Sequence, residues 1–231
     1  QVLHQFEGQL PLKWLQQDHR GTSVARNRAI GVAQGQHILF VDDDVMVPGQ
    51  FLQRHLTLLE KNPGCLIRGP VVNVEAPLPH PLPSLWLAWR HFSKNYLCTS
   101  NASIERHLLL RAGLFDPSFR RWEDAELGVR LKRLGVRRVF DNQTYVYHWK
   151  PRPSLEQAQQ TAALDGQAAA QLYLRYPNLR MWLRSGLHIA NRCKNSVLRN
   201  PTLPLPQNLR NRLELERVYL KAGHEELRNS R

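Results

Sequence analysis

Cysteine is scarce in this chain, acidic residues are outnumbered, and no long apolar run occurs. The three cysteines, Cys65, Cys98 and Cys193, are odd in number, far apart and without metal-ligand spacing. They read as reduced thiols of a cytosolic compartment rather than a disulfide framework. No stretch of eighteen or more apolar residues exists, so nothing is expected to span a bilayer. The chain opens on Gln1 with no charged-then-apolar leader, so no targeting peptide is expected. Against 19 Asp+Glu stand 32 Lys+Arg, a formal +13 that favours anionic partners: nucleotide diphosphates, nucleic acid or an acidic membrane surface. Hydrophobic content of 42% and charged content of 22% are ordinary for a soluble globular protein. At 231 residues, one domain with appendages is the natural expectation.

The chain alternates strand and helix signals. Leu10 to Leu15 reads as a short strand, and Val2 to Phe6 as the tail of a helix before it. Thr22 or Ser23 is placed to cap a helix with Ala25, Ala29 and Val32 on its apolar stripe and Gly35 as its stop. Ile38-Leu39-Phe40-Val41 is a continuous apolar run, suited to a parallel strand covered on both faces. It ends at Asp42-Asp43-Asp44, and Pro48-Gly49 turns the chain into a helix carrying Leu52, Leu56 and Leu59. Ile67 to Val74 reads as a strand, Ala76 to Ser84 as a Pro-rich loop ahead of Trp86 and Trp89, and Ile104 to Gly113 as a short helix. Trp122-Glu123-Asp124 opens a helix with Leu127, Leu131 and Leu134 on one face. Val136 to Phe140 and Tyr145 to His148 complete the strands. This is an α/β pattern.

Beyond Pro151 and Pro153 the character changes. Ser154 with Gln157 has the form of a capping box opening a long Ala/Gln-rich helix toward Tyr176. Basic amphipathic segments follow, Leu179 to Leu198 and Leu209 to Lys221, separated by Pro201 to Pro206. The division is therefore 1–150 for a catalytic domain and 151–231 for a basic helical extension.

Ligands of open α/β sheets sit beyond the carboxyl ends of the strands, where Asp42 to Asp44 lie. Three adjacent carboxylates repel one another and are costly to desolvate unless a cation compensates. Mg²⁺ or Mn²⁺ held by one or two carboxylates and completed by phosphate oxygens does so. A solvated acidic turn is the bland alternative, and position directly behind a buried strand favours the functional one. Taken singly, Glu123-Asp124 is a helix-end acidic pair, His148 a packed histidine, and Arg26 and Asn27 exposed helix residues.

Together these pieces resemble a family. The stretches Gly21 to Ile30, Ile38 to Asp44, Thr99 to Ile104 and Trp122 to Gly128, followed by His148, are similar in order and spacing to the family 2 glycosyltransferases. The resemblance covers roughly residues 10 to 150. It implies a GT-A (Rossmann-like) mixed sheet with flanking helices and a metal-dependent, inverting transfer of a sugar from a nucleotide-diphosphate-sugar to an acceptor hydroxyl. It also implies roles. Asp42 and Asp44 would form the Asp-x-Asp motif, with His148 approaching the metal or diphosphate. Arg26, Asn27, Asp43, Ser100, Asn101 and Glu123 would line the donor, and Asp124 would be the general base. A Mn²⁺ or Mg²⁺ ion and a glycan or lipid-linked acceptor follow, with a place in polysaccharide or cell-envelope glycan synthesis.

The pattern departs from the family in two places. The Leu10 to Leu15 strand comes almost at once, where a third strand is expected, so two β–α units of about 60 residues are expected to be absent, with weak or no activity as the consequence. Glu105 stands where a basic residue is commoner, with an expected effect on acceptor choice. The tail has two readings. Leu179, Trp182, Leu183 and Leu187 with Arg180, Arg184 and Arg192 suit either an anionic membrane surface or packing on the catalytic domain with arginines outward, the latter slightly favoured. The enzyme is accordingly expected in the cytoplasm, with a peripheral place at the inner face of the cell membrane as the variant. The rival function is a degenerate, non-catalytic relative acting as a basic interaction module. Nucleic-acid binding is disfavoured, since the aromatics do not interleave with basic residues as a single-strand platform.

Overall fold

A computed structural model describes residues 5, 8–9, 11–78, 95–198 and 206–230. The expectations for Val2 to Phe6 (Gln5 aside), for Leu10, for residues 79–84, for Trp86 and Trp89, for the Arg192 side chain and for residues 201–205 lie outside the described residues.

The first element is a helix, not a strand. Residues 11–20 form no regular structure and are mostly exposed. Pro11 brings no N–H to a ladder, and among the described residues neither sheet has a strand there. Helix α1 spans Thr22–Val32 with Gly21, not Thr22 or Ser23, at its N-cap and Ala33, not Gly35, at its C-cap. Its expected apolar stripe faces outward: Ala25, Ala29 and Val32 are exposed, while Ser23 and Ile30 are buried. The helix turns polar residues inward because their partners lie there, as described below.

Strand β1, His37–Phe40, stands at the edge of a four-stranded sheet rather than in a parallel interior. Helix α2 covers Phe51–Lys61 after the two-residue strand β2, Val45–Met46. Phe51, His55 and Leu59 form its buried face, and Leu52 and Leu56 are exposed. The pattern i, i+4, i+8 is helical, but a histidine and a phenylalanine carry it in place of the leucines. Strand β3 is Cys65–Arg68 and β4 is Val71–Val74. The expected single strand is thus broken at Gly69-Pro70, where the chain leaves one sheet for another. A Cβ on Gly69 would stand 1.8 Å from the Thr144 carbonyl oxygen, so this bend requires glycine.

Strand β5, Ala102–Glu105, takes the first residues of the expected Ile104 helix, leaving α3 as Arg106–Arg111. Helix α4 is Glu123–Arg133, β6 is Arg137–Phe140 and β7 is Val146–Trp149. Leu127 and Leu131 of α4 are fully buried, whereas Leu134 just past it is exposed. The four-stranded sheet runs β1-β5-β3-β6, with β5 antiparallel to both neighbours and β3 parallel to β6. A three-stranded sheet runs β2-β7-β4. Side chains alternate across β3: Leu66 joins a core with α1, α3 and α4, while Cys65 and Ile67 pack against Leu59 of α2. Helices therefore cover both faces, giving a mixed α/β sandwich.

The remainder is helical. Helix α5, Leu155–Arg175, begins at the expected Ser154/Gln157 capping box. Leu179 to Leu198 is not one helix. It divides into α6, Leu179–Ser185, and α7, Ile189–Leu198, at Gly186. Helix α8 extends the second basic segment to Gln207–Asn229. This part is packed onto the sandwich: Phe119 and Ala125 share a core with Leu172, Tyr176 and Met181. No helix among the described residues is long and apolar enough to cross a membrane.

Candidate active site

The two sheets place the acidic triplet and His148 together by register. In the β2–β7 pair His148 lies opposite Val45, one residue past Asp44, and Trp149 N–H donates to the Asp44 carbonyl at 2.8 Å. In the β4–β7 pair Asn73 lies opposite His148. His148 is thus held between Asn73 Oδ1, 3.1 Å from Nδ1, and Asp44 Oδ2, 3.0 Å from Nε2. Asp42 joins from the end of β1: ligand atoms of Asp42, Asp44 and His148 lie within 4.8 Å of one another. Ser100 Oγ donates to Asp42 Oδ2. Asp43 is exposed and takes part in none of these contacts.

Two oxygen donors and an imidazole nitrogen are a donor set that Mn²⁺ accepts and Mg²⁺ tolerates. Asn73 Oδ1 accepts the Nδ1 proton, so Nε2 faces the Asp44 carboxylate either with a second proton or with a cation between them. The residues present fit a divalent ion.

The other wall of the cleft is the start of α4. Arg26 connects the two sides, with Nη1 2.5 Å from Glu123 Oε1 and Nη2 3.6 Å from Asp42 Oδ1. Thr22 Oγ1 also donates to Glu123 Oε1, at 3.2 Å. The inward polar face of α1 is accounted for by these bonds. Asp124, beside Glu123, is partly buried, and burial, then the Glu123 charge, push its carboxyl up to about 6. A bond from Ala125 N–H and the charges of Arg26 and Arg68 oppose the rise. Desolvation therefore outweighs the helix N-terminus, which by itself would favour the ionised form.

Trp122 precedes this pair with φ of 60°, a left-handed conformation rare outside glycine. It is held there by its indole, whose Nε1 donates to Asp165 Oδ1 at 3.1 Å, and by Arg121, which donates to the same oxygen at 2.8 Å. The long helix α5 thereby fixes the turn that presents Asp124.

Some expected donor-binding residues are engaged elsewhere. Asn101 is 0% exposed. Its Nδ2 donates to Pro70 O at 3.0 Å and to Thr144 O, and its Oδ1 meets His55 Nε2 at 3.0 Å. It ties together the bends where β3–β4 and β6–β7 pass between sheets. Both ends of the Asn27 amide are taken by the Phe115 backbone, at 2.8 and 2.9 Å. Glu105 sits opposite His37, at the far end of β1 from Asp42, and accepts from Gly64 N–H at 2.6 Å. Its carboxylate serves a turn remote from the cleft.

Asn73, Thr22 and Asp165 hold site residues and are not assigned to the site from the sequence. Asn73 alone is marked, as the one polar residue in Val71-Val72-Asn73-Val74.

The comparisons fit this geometry. The family model "Glycosyl transferase family 2" matches residues 2–107. The match spans somewhat less than half of the chain, and over that segment the sequence is similar to the family. No curated protein sequence matches the chain. Among solved structures, the mannosyltransferase PcManGT from Pyrobaculum calidifontis, in complex with GDP-Man and Mn²⁺, superposes with a TM-score of 0.65 at 16% identity, over 100% of this chain and 74% of that one. S. aureus TarS 1–349 gives 0.51 at 16% identity, over 100% of this chain and 78% of that one, and its complex with UDP-GlcNAc gives 0.51 at 15%. The fold of this chain is thus the GT-A glycosyltransferase fold.

Proposed function

We propose that this chain transfers a sugar from a nucleotide-diphosphate-sugar to an acceptor hydroxyl with inversion at the anomeric carbon, in polysaccharide or envelope-glycan synthesis. The observation that carries the reading is the convergence of Asp42, Asp44 and His148 in a cleft that Arg26 joins to the Glu123-Asp124 turn. The transferase unit is residues 1–150, with 151–231 as its helical extension. The solved relatives are complexed with GDP-Man and Mn²⁺ or with UDP-GlcNAc, ligands of the chemistry this cleft suits.

Asp42, Asp44 and His148 would hold Mn²⁺ or Mg²⁺, which when bound neutralises charge on the leaving diphosphate. Asp124 has a carboxyl whose pKa of about 6 leaves it ionised at neutral pH yet basic enough to share a proton. It takes the acceptor hydroxyl's proton as that oxygen attacks the anomeric carbon and the sugar–phosphate bond breaks. Arg26 and Glu123 orient the donor from the α1 side, and Ser100 fixes the Asp42 carboxylate. A single displacement with one base inverts the configuration.

The test is donor turnover over a panel of nucleotide-sugars with Mn²⁺. Asp124→Asn is expected to abolish transfer while metal-dependent donor binding persists. Turnover retained in Asp124→Asn removes Asp124 from the base role, and absence of donor binding in the unaltered chain sinks the transferase reading.

A further inference from the structure

A basic pocket lies on the α4–α6 side of the Asp124 turn, outside the site just described. Its volume is about 420 Å³. Lys132 and Arg133 of α4, Arg138 of β6, and Arg180 and Arg184 of α6 line it with Tyr96, and no acidic side chain is among its lining residues. Like charges gathered this closely repel one another, and the fold holds them together by specific contacts. Arg138 donates to the Asn95 carbonyl at 2.7 Å, as does the fully buried Arg68, and Arg184 donates to Asn95 Oδ1 at 3.2 Å. Arg138 and Lys132 stand over the Tyr96 ring at 5.5 and 5.8 Å from its centroid.

Guanidinium groups fixed around one cavity match the oxygens of a phosphate or diphosphate, which accept several of their N–H groups at once. The pocket also lies near the chemistry. Gly128 in its wall is four residues along α4 from Asp124, about 6 Å of helix rise. Leu179 and Leu183, each one residue before a pocket arginine on α6, are 73% and 55% exposed. Exposed leucines on the same helix as two of the pocket's arginines suit an anionic head group carried on an apolar chain.

We infer that this pocket binds the phosphate or diphosphate group of the sugar acceptor, an inference that rests on the transferase reading for the word acceptor and on the pocket alone for the anion. The donor's diphosphate would have its own partners at the Asp42, Asp44 and His148 cluster, none of which lines this pocket.

The test titrates the full chain with inorganic pyrophosphate in EDTA, so that no metal–diphosphate complex forms at Asp42 and Asp44. Saturable one-to-one binding is expected, weakened about tenfold or more in Arg180→Gln/Arg184→Gln. Both arginines are exposed, so the variant is expected to melt with the unaltered chain. Absence of saturable binding, or equal affinity in the double variant, overturns the anion site. Displacement of pyrophosphate by phosphatidylcholine vesicles doped with a prenyl phosphate, but not by plain vesicles, assigns a lipid-borne acceptor. Displacement by a soluble sugar phosphate alone assigns a soluble one, and failure of both overturns the acceptor assignment. Mn²⁺-dependent nucleotide-sugar binding, measured alongside, reports on the transferase reading independently of every pyrophosphate result.

Discussion

Asn73 Oδ1 lies 3.1 Å from His148 Nδ1, and this contact decides which ring nitrogen faces Asp44. With Nδ1–H donated to Asn73, Nε2 is turned to the carboxylates. Mn²⁺ is therefore expected to raise the thermal midpoint of the chain, and EDTA to reverse the shift, as for any ligand that binds only the folded state. Asp44→Asn and His148→Ala should each lose the shift. Asn73→Leu should keep both ligands yet weaken Mn²⁺ binding by about 10- to 100-fold, the range for loss of a group that orients a ligand. Calorimetric titration of Mn²⁺ into the three variants measures this. An unchanged affinity in Asn73→Leu would show that the β4 partner does not set the ring.

Asp124 gives two linked expectations. Its carboxyl titrates near 6, so kcat/KM should fall as pH drops through about 6. Arg26 holds that value down, so Arg26→Gln should move the acidic limb to higher pH as well as weaken donor binding. The same raised pKa costs stability. Between about 3.8 and 6 the folded state binds more protons than the unfolded, so this group makes stability fall as pH rises, and the loss is complete above 6. Asp124→Asn should then be more stable than the unaltered chain at pH 8 by about 3 kcal/mol, with no difference below pH 3.5. Urea denaturation at the two pH values checks it, and equal stability at pH 8 would mean the group is not desolvated.

The helices α1, α2, α4 and α5, the strand before the triplet and the place of the acidic groups were legible because they depend on local signals. An apolar run followed by three aspartates, a capping box at Ser154, and acidic residues opening α4 are each written in a few consecutive residues. What stayed illegible depends on partners far away in the chain. Leu52 and Leu56 look like core, but the sheet surface over α2 offers Ser103 and Asn101, and His55 is the residue that bonds them. Asn101 sits within a motif that suggests a ligand contact, and only the two bends at Pro70 and Thr144 show that its amide is structural. Helix α1 looks amphipathic with alanines inward, and only Glu123 and Phe115, about ninety residues on, explain why its polar face is turned in.

His55 makes the fold acid-sensitive. Its ring is 2% exposed, with Nε2–H donated to Asn101 Oδ1 and Nδ1 accepting from Ser103 Oγ at 2.7 Å. Desolvation holds its pKa at about 4, against 6.5 for a free imidazole. Below 6.5 the unfolded chain takes a proton that the folded one refuses, so stability is complete above 6.5 and is lost as pH falls toward 4. The loss is about 3 kcal/mol. His55→Gln should flatten that part of the stability-against-pH curve at some cost to stability at neutral pH. Asn101→Ala should cost about 2–4 kcal/mol at every pH, since it leaves an imidazole N–H without its partner and removes a donor from the Thr144 and Pro70 carbonyls, the latter keeping Val146 N–H. Denaturant melts at half-unit steps from pH 4 to 8 separate the two behaviours.

Gly166 links the helical extension to the catalytic turn. Helices α5 and α8 approach so closely there that a Cβ on Gly166 would lie 2.1 Å from the Tyr219 carbonyl oxygen, while one on Gly223 would lie 2.7 Å from the Gly166 carbonyl oxygen. Backbone cannot yield as a flexible side chain does, so Gly166→Ala must separate the helices. In an exposed helix the same change stabilises by about 1 kcal/mol; here overpacking is expected to reverse the sign, to a loss of about 1–3 kcal/mol. The neighbouring Asp165 holds Trp122 and Arg121, so the displacement should also loosen the left-handed turn before Asp124. Gly166→Ala is therefore expected to lower kcat more than donor affinity, with a shifted Trp122 emission when the other tryptophans are replaced. A gain in stability, or full kcat alongside lost stability, would show that α5 supports the fold without positioning the base.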